Sequence, residues 1–332
     1  MNRRRLLVGL CAASFVPSTA RAQTAPTVHR IGLLAPGHTP YIDSVMSSLG
    51  ERGWHVGQNL LVETRYTQGD PQRAEAFTRE LAGQGVRLIL TNFTATAIAA
   101  RRATKTIPIV MLSSGFPVEG GLARSLARPG GNVTGVTIYA GGGVLFGKFV
   151  QLLHELVPTM RELGVLWGYA PPSYTDAQVA PATEELRRAA AALDLKIRFW
   201  TTGRGSDLGD ALAAAVAAPP DALFVTAGVI HGMKEFGRRI AELAVSRRLP
   251  VLTDAISPVF HLAGVLAYAS NQRARAARVA YYVDRVLRGA NPGELPIEQP
   301  TQYELSVNLK VARSIGLTVP QSILQRADRV FE

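Results

Sequence analysis

The residue types that most often carry out chemistry in proteins are few and widely spaced in this sequence. Its six histidines show no i,i+4 or close-pair spacing, and its single cysteine, Cys11, lies near the N-terminus. A zinc site would therefore have to be assembled from separate loops. We expect no metal site, no disulfide and no thiolate nucleophile in the mature protein.

The serines offer a hydroxyl at one strand end but no recognisable catalytic arrangement. Ser113, Ser114 and Gly115 follow a predicted strand, whereas the strained G-x-S-x-G elbow that exposes a serine nucleophile does not occur. No base can be assigned to either hydroxyl. The pattern favours contact with a ligand over catalysis, and we expect the protein not to be an enzyme.

Glycine is concentrated at one point, where Gly141, Gly142 and Gly143 separate a predicted strand from a predicted helix. The run lacks the G-x-G-x-x-G spacing of a dinucleotide-binding turn, and no acidic residue follows the next strand to hold a ribose. A Walker sequence is absent as well. We interpret the run as a hinge, and we expect no cofactor.

The first 22 residues have the organisation of a secretory signal peptide. A basic segment, Arg3–Arg5, precedes the apolar segment Leu6–Val16 and a small-residue cleavage site at Ala20–Ala22. The apolar segment is too short to span a bilayer. The adjacent arginines permit export by the Tat route as well as by Sec. We expect cleavage near Ala22 and a periplasmic location for the mature protein.

The strong positive charge does not by itself indicate nucleic-acid binding. The formal net charge is +11, but the basic pairs are spread over several predicted helices and have acidic neighbours. Nucleic-acid binding needs basic residues clustered on one face. Together with the export signal, this distribution predicts no nucleic-acid partner.

The hydrophobic pattern predicts alternating strands and helices. Val28–Ala35 is typical of a buried strand, Asp70 marks the start of a helix over Pro71–Gly83, and a short helix is predicted around Gly121–Leu126. Repeated strand–helix units predict a parallel sheet covered on both faces. The pattern starts again after a boundary near residues 139–143. The predicted fold class is therefore α/β, with two doubly wound parallel-sheet lobes.

The remaining candidate residues are defined by position. In open α/β sheets, ligands bind beyond the carboxyl ends of the strands, where helix N-termini present unpaired N–H groups. Those positions contain the candidate ligand-binding residues Pro36, Gly37, His38, Thr94, Ala95, Ser114, Gly115, Tyr139, Tyr169, Gly228, Asp254 and Tyr268.

Several of these residues have an alternative structural role. Thr94 could cap a helix as readily as contact a ligand. The three tyrosines could line a cleft as aromatic walls with polar tips, or pack at the edge of a lobe. Asp254 would suit a ligand amine, but it could equally cap a helix.

Four segments of the sequence resemble one family. They are Arg30–Gly37, Ser125–Gly135, Leu295–Thr301 and Val307–Lys310. In this order and spacing they are similar to the ABC transporter substrate-binding family that includes tryptophan- and tyrosine-binding members. The resemblance extends over about residues 28–331.

The resemblance implies a type I periplasmic-binding fold in which a multi-strand hinge joins two lobes. Lobe I would comprise residues 28–139 plus 267–300, and lobe II residues 140–266 plus 301–332. The implied function is that of a monomeric receptor, which closes over a small amino-acid-like, aromatic or carboxylic molecule and delivers it to an ABC permease in the inner membrane. A sensory module for a membrane receptor needs the same closure, and an extracytoplasmic α/β enzyme is a less favoured alternative.

Two departures from the family pattern lie at predicted cleft positions. Phe116-Pro117-Val118 stands where relatives often carry an acid before Pro-Val, and Gly168-Tyr169 where they often carry Asn-Pro. We therefore expect a ligand that differs from that of the amino-acid-binding members and is more apolar or aromatic.

Overall fold

The computed structural model describes residues 28–68, 70–141, 144–167, 176–201, 208–226 and 234–332. The predicted signal peptide, most of the Gly141–Gly143 run, and the predicted site residues Tyr169 and Gly228 lie outside these ranges. Among the described helices, none is both long and apolar enough to cross a membrane.

The first sheet is built from five parallel strands. In chain order, the strands are β1 (His29–Ala35), β2 (Leu60–Tyr66), β3 (Ile89–Asn92), β4 (Ile109–Ser114) and β5 (Val133–Thr137). Their order in the sheet is β2-β1-β3-β4-β5. Strands β3, β4 and β5 are buried along their whole length. This burial on both faces explains the near-continuous apolar segments from which strands were predicted.

The second sheet repeats that arrangement and adds two strands. Its order is β12-β11-β10-β9-β8-β6-β7, and its pairs are parallel except for the antiparallel pair β10–β11. The strands are β6 (Glu162–Trp167), β7 (Lys196–Thr201), β8 (Ala222–Val225), β9 (Val251–Thr253), β10 (Gly264–Ser270), β11 (Tyr303–Asn308) and β12 (Arg329–Phe331).

Helices cover both faces of each sheet. They are α1 (Pro40–Gly50), α2 (Pro71–Gly83), α3 (Thr94–Ala103), α4 (Val144–Leu156), α5 (Asp176–Ala191), α6 (Leu208–Ala217), α7 (Lys234–Arg247), α8 (Pro258–Leu262), α9 (Gln272–Leu287), α10 (Leu309–Ser314) and α11 (Gln321–Arg326). The first sheet lies between α1 and α9 on one face and α2 and α3 on the other. The second lies between α4, α5, α10 and α11 on one face and α6, α7 and α8 on the other.

Three connections between described elements join the two sheets. The chain passes from β5 to α4, from β10 to α9, and from a short return segment beside β5 to β11. In the return segment, Glu298 forms an isolated bridge with Val136, and its backbone hydrogen-bonds Gly135 and Thr137. In the second of these connections, β10 belongs to the second sheet, whereas the following helix α9 packs on the first.

The predicted exchange between lobes at residue 267 is wrong in its detail. Strand β10 stays in the second sheet to its last residue, because Ser270 still pairs with Tyr303 of the antiparallel strand β11. The chain leaves the sheet at Asn271, whose side chain caps α9 by accepting a hydrogen bond from the backbone N–H of Ala274. The rest of the predicted division into lobes remains a prediction.

The predicted short helix around Gly121–Leu126 is also wrong. The chain makes turns there, and Gly121 has a φ of +67°, in the left-handed region that ends rather than continues a helix. Helix α8 was missed, since its five residues are too few to show helical periodicity.

Gly135 is required by the spacing of the first sheet. A Cβ atom at this position would lie 2.4 Å from the Met111 backbone oxygen and 2.6 Å from its nitrogen, and the φ of Gly135 is +125°. Only glycine accommodates both the close approach and this backbone conformation. The approach brings β5 against its neighbour β4.

Candidate functional site

A cleft lies between the carboxyl ends of the strands of the two sheets. It comprises about 400 Å³ of empty space, part of which is open to solvent. The position agrees with the general rule for open α/β sheets. The lining residues come from both sheets and from α9: Thr39, Tyr41, Asn92, Phe93, Ser113, Ile138, Asp254, Ala255, Ala269, Ser270, Gln272 and Arg275.

Buried hydrogen bonds lock the ends of β3 and β4 together on the first wall of the cleft. Ser113 Oγ donates to Asn92 Oδ1 at 2.7 Å. Two residues further along the chain in each case, the Gly115 N–H donates to Thr94 Oγ1 at 2.8 Å, and the Thr94 hydroxyl donates to the Gly115 carbonyl at 3.1 Å. All four residues are almost fully buried. This part of the wall is therefore set before any ligand arrives.

Helix α3 begins at this wall without a side-chain cap. Its N-cap residue is Phe93, which has no side-chain acceptor for the N–H groups of the first turn, and Thr96 Oγ1 instead donates to the Phe93 carbonyl at 2.9 Å. Phe93 has a φ of +72°, and Phe116 at the end of β4 has a φ of +47°. Non-glycine residues in this region are strained, and such strain is concentrated at functional sites.

Arg275 brings a buried positive charge to the cleft. It lies in the first turn of α9 and is only 8% exposed. Its Nη1 donates to Ser270 Oγ at 2.7 Å, and its guanidinium carbon lies 4.3 Å from the centre of the Tyr41 ring. Burial raises the pKa of Tyr41, and the Arg275 cation beside it acts in the opposite direction. The Tyr41 hydroxyl donates to the Leu112 carbonyl at 2.9 Å, which fixes the ring under the cation.

The second wall carries a carboxylate. Asp254, at the end of β9, is 4% exposed and accepts a hydrogen bond of 2.7 Å from the Tyr139 hydroxyl. Next to it, Thr253 Oγ1 donates to the Ala255 carbonyl and holds the turn after the strand. Burial raises the pKa of Tyr303, which lies close to both charged residues, to about 12, so that this tyrosine is neutral at physiological pH.

Some of the predicted site residues meet at this cleft. Asp254 lines it directly, and Tyr139 contacts Asp254. Thr94, Ala95 and Gly115 lie immediately beside its lining, at the start of α3 and the end of β4. The Thr94 hydroxyl serves neither as the cap of α3 nor as a free group, since it is paired with the Gly115 backbone. Ligand contact by these residues remains a prediction.

Other predicted residues lie away from the described lining. His38 is exposed and pairs with Asp43 at 3.0 Å, and the neighbouring Pro36 and Gly37 are half-buried in the same loop. Ser114 is fully buried. Tyr268 stacks on Tyr303 with ring centres 5.5 Å apart. A role for any of them in ligand binding also remains a prediction.

Sequence reasoning missed Arg275 because it considered strand ends and not the first turns of helices that cross back between lobes. A signal was present. Cations are unfavourable at helix N-termini, where the helix dipole is positive, yet Arg273 and Arg275 both lie in the first turn of α9. Tyr41 was missed because its position in the sequence is that of an ordinary apolar residue of α1.

Within the described ranges, no group of histidine, cysteine, aspartate or glutamate side chains could hold a metal ion. The arrangement at the cleft combines opposite charges on two walls, aromatic surface, and hydroxyl groups. Those of Tyr41 and Ser113 are hydrogen-bonded, whereas that of Thr39 has no partner among the described residues. This arrangement suits recognition.

Comparison with known proteins places these observations in a family. The model of the family described as ABC transporter substrate binding protein matches residues 33–331. A tyrosine-binding protein of Clostridioides difficile (strain R20291) is 23% identical over 279 residues, which are 82% of this chain and 75% of the relative.

Two solved structures show the same fold. An ABC domain from Streptococcus pneumoniae in complex with L-Trp is 21% identical and has a TM-score of 0.80, with 92% of this chain and all of that chain covered. A substrate-binding protein from Clostridium difficile in a ligand-free, open form is 21% identical with a TM-score of 0.63, covering 92% of this chain and 99% of that one. The fold is that of type I periplasmic binding proteins. The chain belongs to the ABC transporter substrate-binding protein family.

Proposed function

We propose that this chain is an extracytoplasmic receptor that closes over a small organic molecule and delivers it to an ABC permease in the inner membrane. In this role the mature protein begins near Gln23, acts as a monomer, and catalyses no reaction. Its two lobes follow the predicted division, with the second exchange moved to Asn271.

The observation that carries the proposal is the composition of the cleft. Its lining combines residues of the first sheet, such as Asn92, with residues of the second, such as Asp254. A ligand that touches both walls stabilises the closed state, whereas one that touches a single wall leaves the open–closed equilibrium unchanged. Two-lobed binding proteins are known to close around their ligands by hinge rotation.

A contact across the lobes supports a closed arrangement in this structure. Phe116 follows β4 of the first sheet, but its ring packs against Phe146 of α4 in the second lobe, with centres 6.2 Å apart. Tyr139, in the first connection, packs on both rings at 5.5 Å and 4.9 Å.

The relatives suggest which molecules to try first. One is a tyrosine-binding protein and another was solved with L-Trp. Phe93 and Tyr41 supply aromatic surface in the described cleft, which suits a flat ring. We propose a small aromatic molecule with a polar end as the ligand class.

Ligand-induced stabilisation combined with closure tests the proposal. The purified chain is titrated with L-tryptophan, L-tyrosine, benzoate and their neutral and amine analogues, while unfolding temperature and small-angle scattering are recorded. A ligand at a hundred times its Kd stabilises by about 2.7 kcal/mol, which raises Tm by about 5 °C for a chain of this size, and the radius of gyration falls on closure. If no compound raises Tm and compacts the protein, the receptor proposal is wrong.

A further inference from the structure

We propose that Arg275 is the anchor for a carboxylate of the ligand, so that the molecule binds as an acid with its anionic end against the first wall of the cleft. The inference rests on the proposed receptor function and specifies the chemical class of its ligand. The N–H groups at the start of α3 favour the same anionic end of the ligand.

The first reason is the missing counter-charge of Arg275. The side chain is 92% removed from solvent, yet within the described part of the chain no carboxylate forms an ion pair with it. Its Nε is buried and has no hydrogen-bond partner. A buried cation without a carboxylate partner is unfavourable, because one neutral hydrogen bond and an aromatic ring replace only part of its lost hydration. A ligand carboxylate at this point would supply the absent partner.

The second reason is that the guanidinium is already oriented. The Ser270 hydroxyl holds Nη1, and the Tyr41 ring lies beneath the guanidinium plane. The residue lines the open cleft in which a ligand would sit. A fixed planar fork of N–H donors matches a carboxylate in two parallel hydrogen bonds.

The third reason is the uncapped start of α3 at the same wall. Phe93 lines the cleft as the N-cap residue and offers no acceptor to the first-turn N–H groups. Those groups, together with the helix dipole, favour an anion at this point. The start of α3 and the guanidinium both belong to the cleft, and both favour a negative charge.

The placement of Arg275 in its own helix also argues against a purely structural role. It lies in the first turn of α9, where the dipole disfavours a cation, and the cap of that helix is provided by Asn271. Among the described lining residues the one acid is Asp254, on the opposite wall, and its carboxylate accepts from Tyr139. No ion pair joins Asp254 to Arg275 within the described residues.

The experiment compares acids with matched compounds that lack the carboxylate. L-tyrosine is paired with tyramine, indole-3-propionate with indole-3-propionamide, and benzoate with benzamide, and binding is measured by calorimetry. We expect at least one acid to bind and its partner to bind about a hundredfold more weakly, since a desolvated charge pair is lost. Tighter binding of the amine or the amides would overturn the inference, as would binding of none of the acids.

Variants of α9 locate the anchor. Arg275→Gln is expected to weaken binding of the acid about a hundredfold while leaving the affinity for the partner that lacks the carboxylate nearly unchanged. Arg275→Lys retains the charge but not the planar fork, so its affinity for the acid lies between the two. Arg273→Gln is the matched control, because Arg273 is exposed in the same turn and carries the same charge, and it is expected to bind as the unmodified protein does.

The outcomes separate this inference from the receptor proposal. Closure over tyramine or benzamide with undiminished affinity would leave a receptor with a different ligand class, and the inference would be wrong. Absence of closure with every compound would count against the receptor itself. If Arg275→Gln fails to fold, Arg275→Lys and the paired compounds, measured on the unmodified protein, still test whether Arg275 is the anchor. Equal affinity of Arg275→Lys and Arg273→Gln for the acid would contradict the anchor.

Discussion

The two lobes share one strand order and differ at the edge beyond their fifth strand. The first sheet runs β2-β1-β3-β4-β5, and the second contains the corresponding series β7-β6-β8-β9-β10. Beside β5 the first lobe has only the bridge between Val136 and Glu298 among the described residues, whereas beside β10 the second lobe adds the strands β11 and β12. The repeated core places two sets of strand ends face to face, and the differing edges determine where the chain crosses between them.

The two walls of the cleft also differ in charge. The first has a buried guanidinium and an uncapped helix start, and the second has the carboxylate of Asp254 beside small residues. A ligand lying between them is therefore oriented, because its two ends meet opposite fields. The similarity of the lobes produces the cleft, and their differences produce its polarity.

The largest effect is expected from a glycine in each sheet. Gly135→Ala places a Cβ atom against Met111 backbone atoms at a positive φ, and we expect a loss of at least about 3 kcal/mol of stability or failure to fold. In the second lobe, Gly164→Ala meets the side chains of Trp200 and Pro220 at 2.5 Å and 2.6 Å. Side chains can shift, so the expected loss is smaller, about 1 to 3 kcal/mol.

Urea unfolding of both variants measures this difference between the lobes. Gly83→Ala is the control, since no atom lies within 4 Å of its added Cβ and it is expected to change stability by less than about 1 kcal/mol. A smaller loss for Gly135→Ala than for Gly164→Ala would show that the first sheet adjusts its strand spacing more readily than its backbone contacts indicate.

A smaller effect is expected from Phe116, the residue that joins the lobes. In Phe116→Ala the ring contacts with Phe146 and Tyr139 are lost. Because we expect these contacts only in the closed state, ligand affinity should fall by about 2 kcal/mol, or about thirtyfold, while the unliganded Tm changes little. Calorimetry and thermal unfolding, each with and without ligand, make the comparison.

Phe146→Ala provides the contrast. The Phe146 ring is fully buried in the core of the second lobe, where it also packs on Phe149 and Trp167. Its removal should lower the Tm of the free and the bound protein alike. If Phe116→Ala behaved in the same way, its ring would be part of the permanent core and not a contact made on closure.

The smallest effect concerns one carboxylate in each lobe. The hydrogen bond from Arg278 lowers the pKa of Glu298, and a hydrogen bond from Ser322, followed by the contact with Arg326, lowers the pKa of Glu155. A carboxyl whose pKa is lowered by folding stabilises the folded state above its ordinary pKa, and the contribution is lost as the pH falls through the lowered value. Tm should therefore decrease between about pH 5 and pH 3.

Glu298→Gln and Glu155→Gln are each expected to remove part of that decrease. Both ion pairs are partly exposed, so each contributes less than about 1 kcal/mol. The sites lie in different lobes, and the double variant should show the sum of the two effects. Thermal unfolding over this pH range checks the prediction, and an unchanged pH dependence in either variant would contradict it for that lobe.

Local sequence signals predicted individual elements well where the relevant physics is local. The helix over Pro71–Gly83 was predicted with its correct bounds, since the Asp70 side chain accepts from the N–H groups of Gln72 and Arg73 as its sequence position requires. The strand predicted over Val28–Ala35 is likewise present as β1, His29–Ala35. The order of these elements in each sheet was not predicted beyond the doubly wound class, because it depends on pairings between distant strands.

The sequence by itself determined the α/β class, the repetition of strand–helix units and the placement of polar residues such as Asp254 at strand ends, because these follow from local periodicity and the geometry of parallel sheets. Only the tertiary structure decided that Arg275 joins them. It reaches the cleft through a helix that follows strand β10 of the second sheet in sequence but packs on the first sheet, and no local pattern records such a crossing. Burial of a charge is a property of its surroundings, and those surroundings are assembled from residues far apart in the chain.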